Sequence, residues 1–86
     1  MSRYRIDLSP AAAQALRQID TQHRARIQGA IALLGQHPYP PGAKALRGRD
    51  ALRVRVGEYR IVYTVDDPVV LIAAVTTGRS KDAVEG

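Results

Sequence analysis

The 86-residue chain contains no cysteine, tryptophan or phenylalanine, one methionine and two histidines. Without cysteine there is no disulfide framework and no thiolate metal site. With His23 and His37 as its only imidazoles, the chain points away from metal chemistry, and neither a metal nor a cofactor is expected. It lacks a Ser-His-Asp arrangement with supporting context and a glycine-rich phosphate loop. No apolar run approaches the ~20 residues that a membrane-crossing helix needs. The N-terminus runs directly into Arg3-Tyr4-Arg5, without the pattern of a secretory leader. These absences predict a cytoplasmic protein with no membrane partner. The length fits one domain spanning residues 1–86, free of internal repeats and low-complexity segments.

What the chain does have is positive charge, unevenly placed. Its net charge is +5 and its pI near 10.2. Between Lys44 and Arg60 lie six basic residues (Lys44, Arg47, Arg49, Arg53, Arg55, Arg60) and two acids, Asp50 and Glu58. A clustered basic patch suits nucleic acid, an acidic membrane surface or an acidic protein.

The centre of that patch has a readable geometry. Leu52-Arg53-Val54-Arg55-Val56 alternates apolar and basic residues with the period of a half-buried strand. Gly57-Glu58 suits a two-residue type II′ turn, with glycine at its first position. Tyr59 to Val65 is rich in aromatic and β-branched residues and reads as the return strand. In that hairpin Val56 faces Tyr59, and Arg55 lies directly opposite Arg60, with Arg53 two residues along on the same face. Like charges opposed across a strand pair are destabilising. Guanidinium groups gathered at such a cost point to an anion, and their planar fork matches phosphate. A solvated basic face is the bland alternative.

Around the hairpin the order is β-α-α-β-β-β. Arg3 to Leu8 alternates, with Tyr4, Ile6 and Leu8 on one face. Ser9 is a good N-cap and Pro10 suits the first helical position; Ala12, Ala15, Leu16 and Ile19 then form an apolar stripe. Asp20-Thr21 breaks this helix and caps a second, whose stripe is Ile27, Ala30, Ile31 and Leu34. Gly29, inside it, suggests close packing, and Gly35 its terminus. His37 to Gly42 holds three prolines and a glycine in six residues, a stiff extended connection. Ala43 to Asp50 is a basic loop or short edge segment. After the turn at Asp66-Asp67-Pro68, Val69 to Thr77 is a near-continuous apolar run, a central or doubly buried strand. A three-residue loop there would set Val65 against Val69 and Arg60 against Ala74, leaving room beside Arg60. Gly78-Arg79-Ser80-Lys81 leaves the strand with more positive charge. The fold class is α+β: a helical hairpin on an antiparallel-rich four-stranded sheet.

Chemistry with these residues is metal-free and electrostatic. Arginine and lysine can bind a phosphodiester, stabilise a phosphorane and neutralise a leaving oxygen. That route suits RNA, whose 2′-hydroxyl is a built-in nucleophile. His23 reads as a surface residue. His37 stands at the start of the proline-rich loop. Glu58 reads as a turn residue softening the repulsion.

The element order, the segments Lys44-Ala45-Leu46-Arg47-Gly48, Leu52 to Tyr63 and Asp66-Asp67, and the last strand ending in Gly78-Arg79 resemble the RelE/ParE superfamily of bacterial toxins. The run Val56 to Tyr63 is the most specific part, and the likeness leans to the RelE branch. That resemblance implies the toxin of a type II toxin–antitoxin system, a ribosome-dependent endoribonuclease that cuts messenger RNA without metal and so inhibits translation. Its functional positions fall on Arg53, Arg55, Arg60 and Arg79 as catalytic residues. Lys44, Arg47, Arg49 and Lys81 would contact RNA, Lys81 also being the alternative to Arg79. Implied partners are a cognate antitoxin, the ribosome with its messenger RNA, and operator DNA bound through the antitoxin. The pattern departs from the family at Ala83, Val84 and Glu85, where many members carry a tyrosine. Both basic positions on the first hairpin strand are arginine, a poor proton acceptor, which leaves Lys81, Lys44, Glu58 and His37 as candidate bases. The ParE branch, whose members inhibit DNA gyrase without cutting RNA, is the alternative, as is a toxin fold with little or no catalytic activity.

Overall fold

The computed structural model describes residues 4–48 and 50–77. Arg49, Arg79, Lys81 and the stretch Ala83–Glu85 lie outside the described residues. The elements are β1 (Arg5–Leu8), α1 (Pro10–Gln18), α2 (Thr21–Leu34), β2 (Lys44–Ala45), β3 (Leu52–Val56), β4 (Tyr59–Asp66) and β5 (Val69–Thr77). They match the expected order, with Lys44–Ala45 as a short edge strand that makes the sheet five-stranded. The sheet order is β1-β5-β4-β3-β2. β1 runs parallel to β5, and every other pair is antiparallel. No helix among the described residues is long and apolar enough to cross a membrane.

Both helices cover one face of the sheet. Ala12 and Leu16 from α1 and Ile27, Ile31 and Leu34 from α2 form one buried cluster with Ile61, Tyr63, Val70, Ile72 and Val75. These helical residues recur at three- and four-residue spacing, so each helix turns a single apolar stripe inward. Ser9 caps α1 as its sequence predicts, accepting the Ala12 N–H at 3.0 Å. It also does something the sequence did not announce: its hydroxyl donates to the Ala73 carbonyl at 2.7 Å, and its N–H to the Ile72 carbonyl at 2.9 Å. Ala73 is the extra residue of a β-bulge, where the pairing steps from Tyr63↔Ile72 to Val62↔Ala74. A bulged residue loses its ladder partner. Ser9 supplies one and thereby ties the start of α1 to the middle of the sheet.

The bulge also corrects the expected position of Arg60. Its partner is Thr76, not Ala74, and Val65 faces Val70, not Val69. The loop holds only Asp67 and Pro68, joined by a cis peptide bond, with Asp66 pairing Val69. That shortening moves the register by one residue, and the bulge adds another. β5 is interior to the sheet as expected, but Leu71 and Thr76 on its helix-free face are exposed.

Gly35 ends α2 as expected, and two helix details differ from expectation. Asp20 occupies the N-cap of α2, but its carboxylate caps no backbone N–H. Instead it bonds the His23 ring, which holds its carboxyl below the usual range. Gly35 ends α2 in a right-handed conformation, φ −67°, so glycine's left-handed freedom is unused there. Gly29 packs against nothing: a Cβ built on it would meet no atom within 4 Å. Glycine inside a helix is less stable than alanine by roughly 0.5–1 kcal/mol. Gly29→Ala should therefore stabilise the fold by about that amount, read as a higher denaturant midpoint with an unchanged slope.

Tyr63 is fully buried, and its hydroxyl donates to the Pro38 carbonyl at 2.7 Å. Burial, with a smaller contribution from Tyr39, pushes its pKa from 10.0 up to about 12. The unfolded chain gives up this proton near pH 10 and the folded chain keeps it to about pH 12. The contribution is complete below pH 10 and is lost as pH rises through that window. Tyr63→Phe should flatten this part of the alkaline stability curve. At neutral pH it should cost about 1–2 kcal/mol, because the Pro38 carbonyl is left without its donor. Denaturant titrations from pH 7 to pH 12 check both.

Candidate functional site

The hairpin forms in the expected register: Val56 pairs Tyr59, Arg55 pairs Arg60 and Arg53 pairs Val62. Gly57 has φ +61°, and Glu58 is not left-handed. That combination is the type II′ turn, whose twist matches the flanking strands. β2 adds a second opposition, because Lys44 pairs Arg53. Side chains alternate along strands, so Lys44, Arg53, Arg55 and Arg60 all project from the face opposite α1 and α2. They line one cleft of about 180 Å³, completed by Gly42 and Val54. Arg53 and Arg60 are half-buried, whereas Arg55 and Lys44 are exposed.

Among the described residues, no acid lines this cleft. Acids on the same face sit elsewhere: Asp66 at the far end of β4, and Asp7 on β1, where it meets Arg5 at 3.5 Å. Charge is thus segregated along the open face, with the cations at the hairpin end. A cleft walled by guanidinium and ammonium groups attracts phosphate or carboxylate and repels a metal ion.

The structure brings together four of the residues singled out in the sequence and separates others. Lys44, Arg53, Arg55 and Arg60 meet in the cleft. Arg47 lies exposed in the loop after β2 and does not line it. Glu58 is exposed in the hairpin turn. His23 is exposed on α2, its ring 5.7 Å from that of Tyr59. His37 lines a separate groove with Tyr39, Pro40 and Pro41. Sequence reasoning missed Gly42 as part of the cleft wall. The available signal was its place at the end of the proline run, immediately before the basic edge segment.

A family model for the ParE toxin of type II toxin–antitoxin systems, parDE, matches residues 6–81. The chain belongs to this toxin family. Solved structures with the same fold include the isolated RelE toxin of E. coli, at 26% identity and a TM-score of 0.78, covering 95% of this chain and 93% of that one. The archaeal RelE–RelB complex from Pyrococcus horikoshii gives 25% identity and a TM-score of 0.76, covering 91% and 99%. The YoeB dimer from Staphylococcus aureus gives 25% and 0.73, covering 87% and 97%. No curated protein sequence matches. The toxin is thus a type II system component with a RelE-like fold, and the RelE of P. horikoshii was crystallised with its RelB antitoxin.

The opposed cations predict a conflict between binding and stability. Directly opposed like charges cost roughly 0.2–1 kcal/mol, and salt screens that repulsion. Arg55→Gln should raise the toxin's stability by up to about 1 kcal/mol at low ionic strength, with the gain shrinking as salt is added. Paired denaturation curves at low and high salt measure it.

Proposed function

We propose that the toxin is a metal-independent endoribonuclease acting on ribosome-bound messenger RNA. The observation that carries this reading is the convergence of Lys44, Arg53, Arg55 and Arg60 on one cleft that no described acid lines. In the reaction the 2′-hydroxyl oxygen attacks the adjacent phosphorus. The bond from phosphorus to the 2′-oxygen forms and the bond to the 5′-oxygen breaks, leaving a 2′,3′-cyclic phosphate and a 5′-hydroxyl. The 2′-hydroxyl loses its proton and the departing 5′-oxygen gains one. Negative charge builds on the non-bridging oxygens in the transition state, and guanidinium forks held in place beforehand stabilise it.

In this reading Arg53, Arg55 and Arg60 hold the scissile phosphate, and Arg79, outside the described residues, serves the leaving group. Lys81, Arg47 and Arg49 would guide the strand from farther out. Lys44 lines the cleft and is the best-placed proton acceptor among the described candidates, since His37 lines the neighbouring groove and Glu58 sits in the turn. The toxin would be held by a cognate antitoxin, and the complex would bind operator DNA through the antitoxin.

A second reading, inhibition of DNA gyrase without RNA cleavage, is favoured by the match to the ParE family model. Programmed ribosomes incubated with purified toxin, followed by mapping of RNA ends, separate the two. The endoribonuclease reading expects cuts in the ribosomal A site. It also expects Arg60→Ala to lower their rate by about 10²–10³-fold while the protein still unfolds cooperatively. Intact message beside inhibited gyrase supercoiling would move the toxin to the second reading.

A further inference from the structure

A second concavity adjoins the basic cleft. It has a volume of about 480 Å³ and lies between α2, the loop from His37 to Pro41, and β3. Its walls are mostly apolar, including Leu33, Tyr39, Pro40 and Pro41. Val54 and Arg55 line both this groove and the basic cleft. The two sites are therefore neighbours across one strand: β2 pairs only Arg53 and Leu52, so Val54–Val56 has no strand on its outer side. The volume falls within the ~300–1,000 Å³ common for small-molecule sites.

Two residues in this groove are exposed to a degree that the core does not explain. Tyr39 is 67% exposed and Leu33 62% exposed. Tyr39 is nevertheless held in place. Its neighbour Pro38 is buried and receives the Tyr63 hydroxyl, and the flanking prolines restrict the backbone further. A rigid aromatic ring beside a cluster of guanidinium groups is the combination that binds single-stranded nucleic acid: cations hold the backbone and the ring stacks a base.

We propose that the groove is a nucleobase subsite. Tyr39 stacks an unpaired base of single-stranded RNA, with Leu33 and the two prolines as its apolar walls, while the adjoining phosphate sits on Arg53 and Arg55. This rests on the endoribonuclease reading and adds the contact that would position the strand. The groove takes a flat, largely apolar heterocycle, and Arg55 joins it to the phosphate. Tyr39 is a binding residue in this scheme and transfers no proton.

The test is fluorescence anisotropy with a short 2′-O-methyl RNA, which lacks the nucleophile, and a matched oligonucleotide with abasic central positions. Wild-type toxin should bind the base-bearing strand more tightly. Tyr39→Ala should weaken that binding by about tenfold and leave the abasic strand unaffected, and Tyr39→Phe, which keeps the ring, should restore the preference. R53A/R55A should weaken both strands. If Tyr39→Ala binds both strands as wild type does while R53A/R55A weakens both, the subsite is overturned and the phosphate site stands. If R53A/R55A binds both as wild type does, the phosphate reading falls and takes the subsite with it. If Tyr39→Ala instead changes the sedimentation of the toxin without changing RNA affinity, the groove is a protein contact surface and the proposal is wrong.

Discussion

The turn at Gly57–Glu58 decides where the positive charge goes. Its two-residue length sets Arg55 against Arg60, and the positive φ at Gly57 gives the turn the twist that its strands require. A one-residue slip would send every side chain of β3 to the opposite face. The slip is resisted from the other side of the sheet, where Val54 pairs Ile61 and Val56 pairs Tyr59 against the core. The repulsion between guanidinium groups is thus tolerated because undoing it would take apolar side chains out of that core. Full burial of one such side chain contributes about 1.5–3 kcal/mol; a slip would uncover Leu52, Val54 and Val56 together, which outweighs the ~0.2–1 kcal/mol of an opposed like-charge pair.

A second constraint shapes the other wall of the site. The segment from His37 to Gly42 has no ladder of its own, yet it borders both concavities, through Gly42 on one side and Tyr39, Pro40 and Pro41 on the other. It is tied down by the Tyr63 hydroxyl on the Pro38 carbonyl and by the Ala43 N–H, which donates to the Pro40 carbonyl at 2.9 Å. Ser9 acts similarly at the opposite edge of the sheet, by occupying the carbonyl of the bulged Ala73. The Tyr63 and Ser9 hydroxyls each reach a carbonyl more than twenty residues away in the chain. Together they fix loops and helix starts against a sheet whose open face remains free for binding.

The functional reading follows from that division of faces. The helical side carries the packing, and the open side carries charge with little packing to defend. Four cations on one cleft, with no acid among its described lining residues, suit the binding of a phosphate. Proton transfer has a single described candidate in the cleft, Lys44. An RNA substrate suits this arrangement because it brings its own nucleophile.

Local pattern was enough for much of this molecule. Alternation marked β3, aromatic and β-branched content marked β4, Ser9-Pro10 marked the start of α1, and helical spacing marked the buried stripes of α1 and α2. Even the opposition of Arg55 and Arg60 could be read, because a two-residue turn leaves one pairing. What local pattern could not supply was anything set by distant parts of the chain. The partner of Arg60 is Thr76 rather than Ala74 because the loop before β5 is one residue shorter than expected and because β5 bulges at Ala73, whose carbonyl is taken by Ser9, 64 residues away. The second opposed pair, Lys44 and Arg53, needed an edge strand of only two residues, too short to show a period. The groove beside Tyr39 exists only once α2, the proline loop and β3 are assembled. A sequence specifies which faces are apolar, but the space between elements is a property of their packing.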